Sequence, residues 1–331
     1  MQIFVRDEAV PPKSPSEPPT KSPMKPPMEP PIKPAMKPPM ELPMRRWLLL
    51  AVFTYLAAVC CGTLAEYAVD QYCRFHALWA GTVMILKSLL PMSGGVLVFW
   101  LLLRILCRTR LRTFVLGSGE GVCGRYRSPV RTVVLLYLSG YALAELPHVL
   151  RGEIVWNALG GAQLLTQLLW CLPLVTLQTS GEEFIFRGVF LRGACAGRLQ
   201  TNARSVWYGV ISSLIFMLMH SGNAEMSSRR GLLSMAMLYA VYFLQGGLMY
   251  AMDLHFGDLT AGIAWHWINN FLAYLFLSAE GSPLSGGTML LQRGISGPEA
   301  VLEESLLLML PMLAYLIVAR RAANRGNGIV V

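Results

Sequence analysis

The feature that most constrains this chain is a series of apolar runs. Each approaches or exceeds the roughly 20 residues that cross a bilayer as a helix, and they recur from Trp47 to near the C-terminal end. Lipid offers the backbone no hydrogen-bond partners, so runs of this length predict helices that satisfy their own amides. The expected fold is therefore all-α: a polytopic membrane helix bundle of about eight transmembrane helices, drawn at 47–68, 78–106, 130–150, 160–180, 203–220, 232–252, 259–277 and 304–319. Composition agrees, because hydrophobic residues make up 54% and charged residues only 14%, against about 25% charged in soluble domains.

The net charge of +9 comes in short clusters between apolar runs, among them Arg104, Arg108, Arg110 and Arg112. That is a positive-inside pattern, and no basic face interleaved with aromatics accompanies it, so nucleic acid is excluded as a partner. Arg45 and Arg46, the basic loop from Arg108 to Arg131, the stretch from Arg192 to Arg204, and Arg320, Arg321 and Arg325 all place the same side inside. Both termini are expected in the cytoplasm, and Arg229 with Arg230 is the one pair that disagrees. Residues 181–199 are too apolar for an ordinary loop and predict a re-entrant or interfacial helix.

Residues 1–44 hold most of the prolines in a degenerate repeat, Met24-Lys25-Pro26-Pro27-Met28-Glu29 and again Met36-Lys37-Pro38-Pro39-Met40-Glu41. Proline fixes φ and removes donors, so this segment is expected to be a disordered, polyproline-II-like tail, able to bind an SH3-like partner. No signal peptide is expected, since the first long apolar run starts only at Trp47 and no cleavage signature follows it. Residues 45–331 then form the membrane domain. The seven cysteines lie mostly within apolar runs, show no paired CxxC motifs, and read as packing residues.

Ionisable groups inside a bilayer are costly and mark functional sites. Those that qualify are Lys87, Glu145, the Glu182-Glu183 pair with Arg187, His220, His266 and His148. Glu183 and Arg187 can pair at i,i+4 on one helix face, which turns Glu182 about 100° away and leaves it free. Phe216-Met217-Leu218-Met219-His220 ends one apolar helix, and His266 shares a face with Asn270 on another. Three helices thus carry inward polar groups, each of which needs a partner in lipid.

Peptide hydrolysis requires a base for water, a donor for the departing amine and a stabiliser for the oxyanion. These groups can supply all three: Glu182 with His220 can polarise and deprotonate a water, while His266 and the Asn270 amide can face the developing oxyanion. Lys87 and Glu145 read as snorkelling or structurally paired groups, while His148, His255 and His76 read as interfacial or loop residues.

The ordered set Glu182-Glu183-x-x-x-Arg187, Phe216-x-x-x-His220 and His266-x-x-x-Asn270 resembles the CAAX-processing and bacteriocin-processing endopeptidases, which include the type II CAAX prenyl endopeptidases of the Ras-converting type. The resemblance covers about residues 160–280. It implies an intramembrane endopeptidase cutting near the C-terminus of membrane-associated or prenylated proteins, in a bacterial plasma membrane or the endoplasmic reticulum. It also implies that Glu182 and His220 activate water, that His266 and Asn270 form the oxyanion site, and that Glu183 and Arg187 support the geometry.

No cofactor is favoured, but Glu182, His220 and His266 are the ligand types of a catalytic zinc site, so a zinc-dependent version is the alternative. A His-Glu-x-x-His zincin is excluded because the chain has no such motif. Serine chemistry at Ser180 or Ser221 and cysteine chemistry at Cys171 or Cys195 are disfavoured, since an apolar setting leaves a thiol inert. A non-catalytic scaffold or transporter is the reading from a different class, weakened by the lack of an internal repeat.

Overall fold

The computed structural model describes residues 44–76, 78–116, 129–194, 203–222, 231–280, 282, 284–293 and 298–326. The chain divides into the units Met1–Lys37 and Pro38–Val331. The first unit lies outside the described residues, and so do the rest of the expected tail up to Pro43 and the discordant Arg229 and Arg230.

In the second unit the helices run α1 Met44–Phe75, α2 Ala80–Leu106, α3 Leu111–Leu116, α4 Pro129–Leu150, α5 Gly161–Glu183, α6 Val189–Ala194, α7 Ala203–Met219, α8 Leu232–Phe256, α9 Thr260–Phe271 and α10 Pro298–Gly326. Single π turns follow α5 at Phe184–Gly188 and α9 at Leu272–Phe276, and a 3-10 turn at His220–Gly222 ends α7. Three short strands, β1 Ile154–Trp156, β2 Leu277–Ala279 and β3 Leu290–Gln292, complete the chain.

Helices occupy all eight intervals drawn from the sequence, but among the described residues five are long and apolar enough to cross a membrane: Arg45–Phe75, Ala80–Leu106, Pro129–Leu150, Leu232–Phe256 and Leu302–Arg321. The segment Ser205–Met219 is apolar but shorter. The two helices that carry most of the polar site residues, α5 and α9, are not among the five. Polar side chains dilute the first, and the second has only 12 residues before its π turn.

In the segment 181–199, where a re-entrant or interfacial helix is expected, residues 181–194 are helical and 195–199 lie outside the described residues. Helix α5 passes through the π turn into α6 without a break, so one rod runs from Gly161 to Ala194, about 50 Å at 1.5 Å per residue. Glu182 therefore lies along this rod instead of at its end.

Close helix contacts use small residues, as packing in lipid requires. A Cβ on Gly95 would lie 2.9 Å from the Ala58 Cβ, and one on Gly140 would lie 2.3 Å from the Leu308 carbonyl oxygen. These two positions bring α1 against α2 and α4 against α10. At the end of the bundle where α1 begins, the rings of Trp47, Phe99, Phe114 and Phe184 pack together with centroids 5.1–5.8 Å apart. Arg46 donates there to the Leu106 carbonyl, so the basic ends of α1 and α2 lie together.

The opposite end is closed by a mixed sheet of order β1-β3-β2, which the sequence reading missed. Ile154 pairs with Gln292 in antiparallel register, and Leu277 pairs with Leu290 in parallel register. The Asn157 amide ties the neighbouring turn by donating to the Ser285 and Thr288 carbonyls at 2.9 and 2.8 Å. Three-residue strands leave too little alternation to be read from sequence.

Candidate active site

Glu183 and Arg187 are both fully buried, and the Arg187 Nη1 donates to Glu183 Oε1 at 2.6 Å along the i,i+4 face. The same oxygen accepts from His266 Nδ1 at 2.8 Å, so one carboxylate ties α5, the π turn and α9 together. The Arg187 guanidinium also lies over the Phe216 ring, 4.2 Å from its centroid, a cation–π contact in a desolvated setting. The π turn begins at the residue after Glu183 and contains Arg187. Inserted π turns of this kind recur at functional sites because they re-aim neighbouring side chains. The Phe186 carbonyl in that turn accepts from the Ser212 hydroxyl of α7, which docks α7 beside it.

Glu182 faces the other way. Its Oε1 accepts from the Gln178 amide, and its Oε2 stands 3.6 Å from His266 Nε2 with no hydrogen-bond partner among the described residues. The imidazole of His266 is thus held between the two adjacent glutamates, Nδ1 toward Glu183 and Nε2 toward Glu182.

His220 donates from Nδ1 to the Phe216 carbonyl at 2.7 Å; because a carbonyl only accepts, this fixes the tautomer and leaves Nε2 as the acceptor. Its ring stacks on Tyr242 of α8 at 4.3 Å and contacts Phe216 at 4.2 Å, while Phe216 touches the His266 ring at 5.8 Å. His220 lies within electrostatic reach of Glu182, His266 and Arg187.

Asn270 donates from Nδ2 to Gln178 Oε1 at 3.0 Å, which leaves its second N–H for another acceptor. The six residues singled out from the sequence, Glu182, Glu183, Arg187, His220, His266 and Asn270, are therefore linked by contacts: Glu183 with Arg187 and His266, Glu182 beside His266, His220 and His266 through Phe216, and Asn270 to Glu182 through Gln178. Among the described residues, no group of three or more His, Cys, Asp or Glu side chains is arranged to hold a metal ion. Glu182, His220 and His266 are ligand types that suit zinc, but they do not form such a group here.

Sequence reasoning missed Gln178, Asn269, Tyr137, Tyr242 and Asp253. Asp253 is fully buried and accepts from the Gly262 amide at 2.8 Å, meeting the first turn of α9. A Cβ on Gly262 would lie 2.8–2.9 Å from both Asp253 carboxyl oxygens and 2.9 Å from Glu183 Oε2, so the glycine permits two carboxylates to reach α9. The sixth span was drawn to end at residue 252, which put Asp253 in a loop, whereas α8 continues to Phe256. Gln178 had one available signal, its i,i+4 spacing before Glu182.

The remaining ionisable candidates lie elsewhere. Lys87 pairs with Asp70 at 2.5 Å, and His148 bridges Glu153 at 2.6 Å and Glu304 at 3.1 Å. His76 stacks on Tyr72, and His255 lies against Phe256 and Tyr315.

Membrane-length apolar helices together with a buried Glu–Arg–His cluster define a class: a multi-pass integral membrane protein with a polar cluster inside its helix bundle. Residues 164–272, about a third of the chain, match the family model described as "Type II CAAX prenyl endopeptidase Rce1-like". The matched interval contains all six site residues and starts and ends within α5 and the π turn after α9. It supports a protease of the CAAX type acting in membranes. No curated protein and no solved structure matches the chain.

Proposed function

We propose that this protein hydrolyses peptide bonds near the C-terminus of membrane-associated proteins, prenylated ones included, by a glutamate-activated water. The observation that carries the reading is the placement of Glu182 Oε2, without a hydrogen-bond partner among the described residues, 3.6 Å from His266 Nε2.

A water bridging Glu182 Oε2 and His220 Nε2 meets two acceptors. Glu182 takes its proton, and the resulting hydroxide attacks the scissile carbonyl carbon. The tetrahedral oxyanion is then met by the remaining N–H of Asn270 and by Nε2–H of His266. His266 donates there in its doubly protonated form, with Nδ1–H kept on Glu183. Collapse expels the amine, which receives the proton carried by Glu182 or relayed through His220. Glu183 and Arg187 hold His266 in orientation and touch neither the water nor the substrate. Membrane lipid surrounds the bundle, the termini lie in the cytoplasm, and the host is a bacterial plasma membrane or the endoplasmic reticulum.

A zinc-dependent version is the second reading. A carboxylate on the far ring nitrogen, as Glu183 places on His266, is also how metal-bound histidines are oriented. Cleavage assays with and without a chelator, on wild type and Glu182→Ala, separate the two. Loss with the substitution and survival with the chelator supports the glutamate mechanism; chelator sensitivity reversed by zinc supports the metal. The family match favours either over a scaffold or transporter.

A further inference from the structure

Four hydrogen bonds connect a tyrosine on α4 to the base. The Tyr137 hydroxyl donates to Asn269 Oδ1 at 2.9 Å, Asn269 Nδ2 donates to Asn270 Oδ1 at 3.0 Å, Asn270 Nδ2 donates to Gln178 Oε1 at 3.0 Å, and Gln178 Nε2 donates to Glu182 Oε1. Every amide in the series accepts on one side and donates on the other, all in the same sense.

We propose that this series acts as one directional relay, in which the Tyr137 hydroxyl sets the orientation of three consecutive amides and so positions both the Asn270 amide and the Glu182 carboxylate for the reaction. The inference rests on the function proposed above and adds Tyr137, Asn269 and Gln178 to it as positioning residues.

The polarity follows from the two ends. A carboxylate at Glu182 only accepts, so Gln178 must present Nε2 to it and Oε1 to Asn270. Asn270 must then donate to Gln178 and accept from Asn269, and Asn269 is left with an oxygen that needs a donor. Among the described residues Tyr137 supplies it. Rotating any single amide would set two acceptors or two donors face to face in a part-buried setting, where such mismatches carry a cost.

Tyr137 is itself held rigidly. It is 2% exposed and packs edge-on against Trp265 at 4.8 Å. None of the six site residues comes from α4, and this hydroxyl is the point at which α4 meets the series.

The experiment compares wild type, Tyr137→Phe, Gln178→Met and the double variant, using steady-state cleavage of a farnesylated CAAX peptide together with thermal unfolding. The relay predicts that Tyr137→Phe lowers kcat about tenfold while KM changes less than about twofold. It also predicts that the double variant is no worse than the poorer single one, because both break the same series. Wild-type kcat in Tyr137→Phe, or multiplicative losses in the double variant, overturns it.

If Tyr137→Phe does not fold, Asn269→Asp replaces it, since Asp still accepts from Tyr137 but opposes Asn270 Oδ1 with a second acceptor; the same loss of kcat is expected. An infrared measurement needs no activity: the carboxylate stretch assigned to Glu182 by its loss in Glu182→Gln shifts in Tyr137→Phe. An unshifted band overturns the relay. A shifted band in a protein that cleaves nothing sinks the proposed function and leaves the relay standing.

Discussion

His266 and Glu183, 83 positions apart in the sequence, are joined by a hydrogen bond of 2.8 Å from Nδ1 to Oε1, and the same oxygen receives Arg187 at 2.6 Å. One buried carboxylate therefore sets the position of the imidazole that faces Glu182. Everything proposed for the site depends on that junction staying closed.

Arg187→Met removes the cation that balances Glu183. Breaking a fully buried pair from one side costs about 3–5 kcal/mol because it strands the other charge. A lower chemical-denaturation midpoint in detergent is expected, with substantial recovery in Glu183→Leu/Arg187→Met. A double variant as unstable as Arg187→Met would contradict the pair's role.

Gly262→Ala places a methyl group 2.8–2.9 Å from the Asp253 and Glu183 oxygens. Buried carboxylates cannot move aside freely, so α9 must shift, and His266 with it. A stability loss of about 1–3 kcal/mol is expected from overpacking, with a fall in kcat of about tenfold or more, as sub-ångström displacement of catalytic groups produces. Unfolding and cleavage measured on the same preparation check both.

Asn270→Ala removes the proposed oxyanion donor. Loss of one such donor lowers kcat by about 10²–10³-fold, with KM little changed. A loss confined to KM would place Asn270 in substrate binding instead.

At the sheet end of the bundle, the Arg151 guanidinium, and then His148, hold the Glu153 carboxyl down from its ordinary 4.5 to about 2. A carboxyl depressed in the folded state contributes stability that is complete above its unfolded pKa and is lost as pH falls through the folded one. Thermal stability is thus expected to decline between about pH 4.5 and pH 2 in wild type, and less steeply in Glu153→Gln. Parallel curves for the two proteins would remove Glu153 from the acid response.

The helix positions were legible because apolar length and arginine spacing are local signals, and α2, α4 and α7 differ from their drawn bounds by two residues or fewer. The Glu183–Arg187 pair was legible for the same reason, since i,i+4 spacing is visible without a fold. What was not legible is what only packing creates: the continuous Gly161–Ala194 rod, the sheet, and the dependence of α9 on Asp253. Tyr137 is the clearest example. Its spacing along α4 marks it only as an apolar-face residue, and its link to Glu182 exists solely because α4, α9 and α5 meet.

The central claim, that Glu182 activates the hydrolytic water, is tested most directly by cleavage of a farnesylated CAAX peptide by purified protein in detergent. Wild type is compared with Glu182→Ala and His220→Ala, each with and without a zinc chelator. The account predicts cleavage by wild type that survives the chelator and disappears in both variants. Cleavage that persists in Glu182→Ala would contradict it.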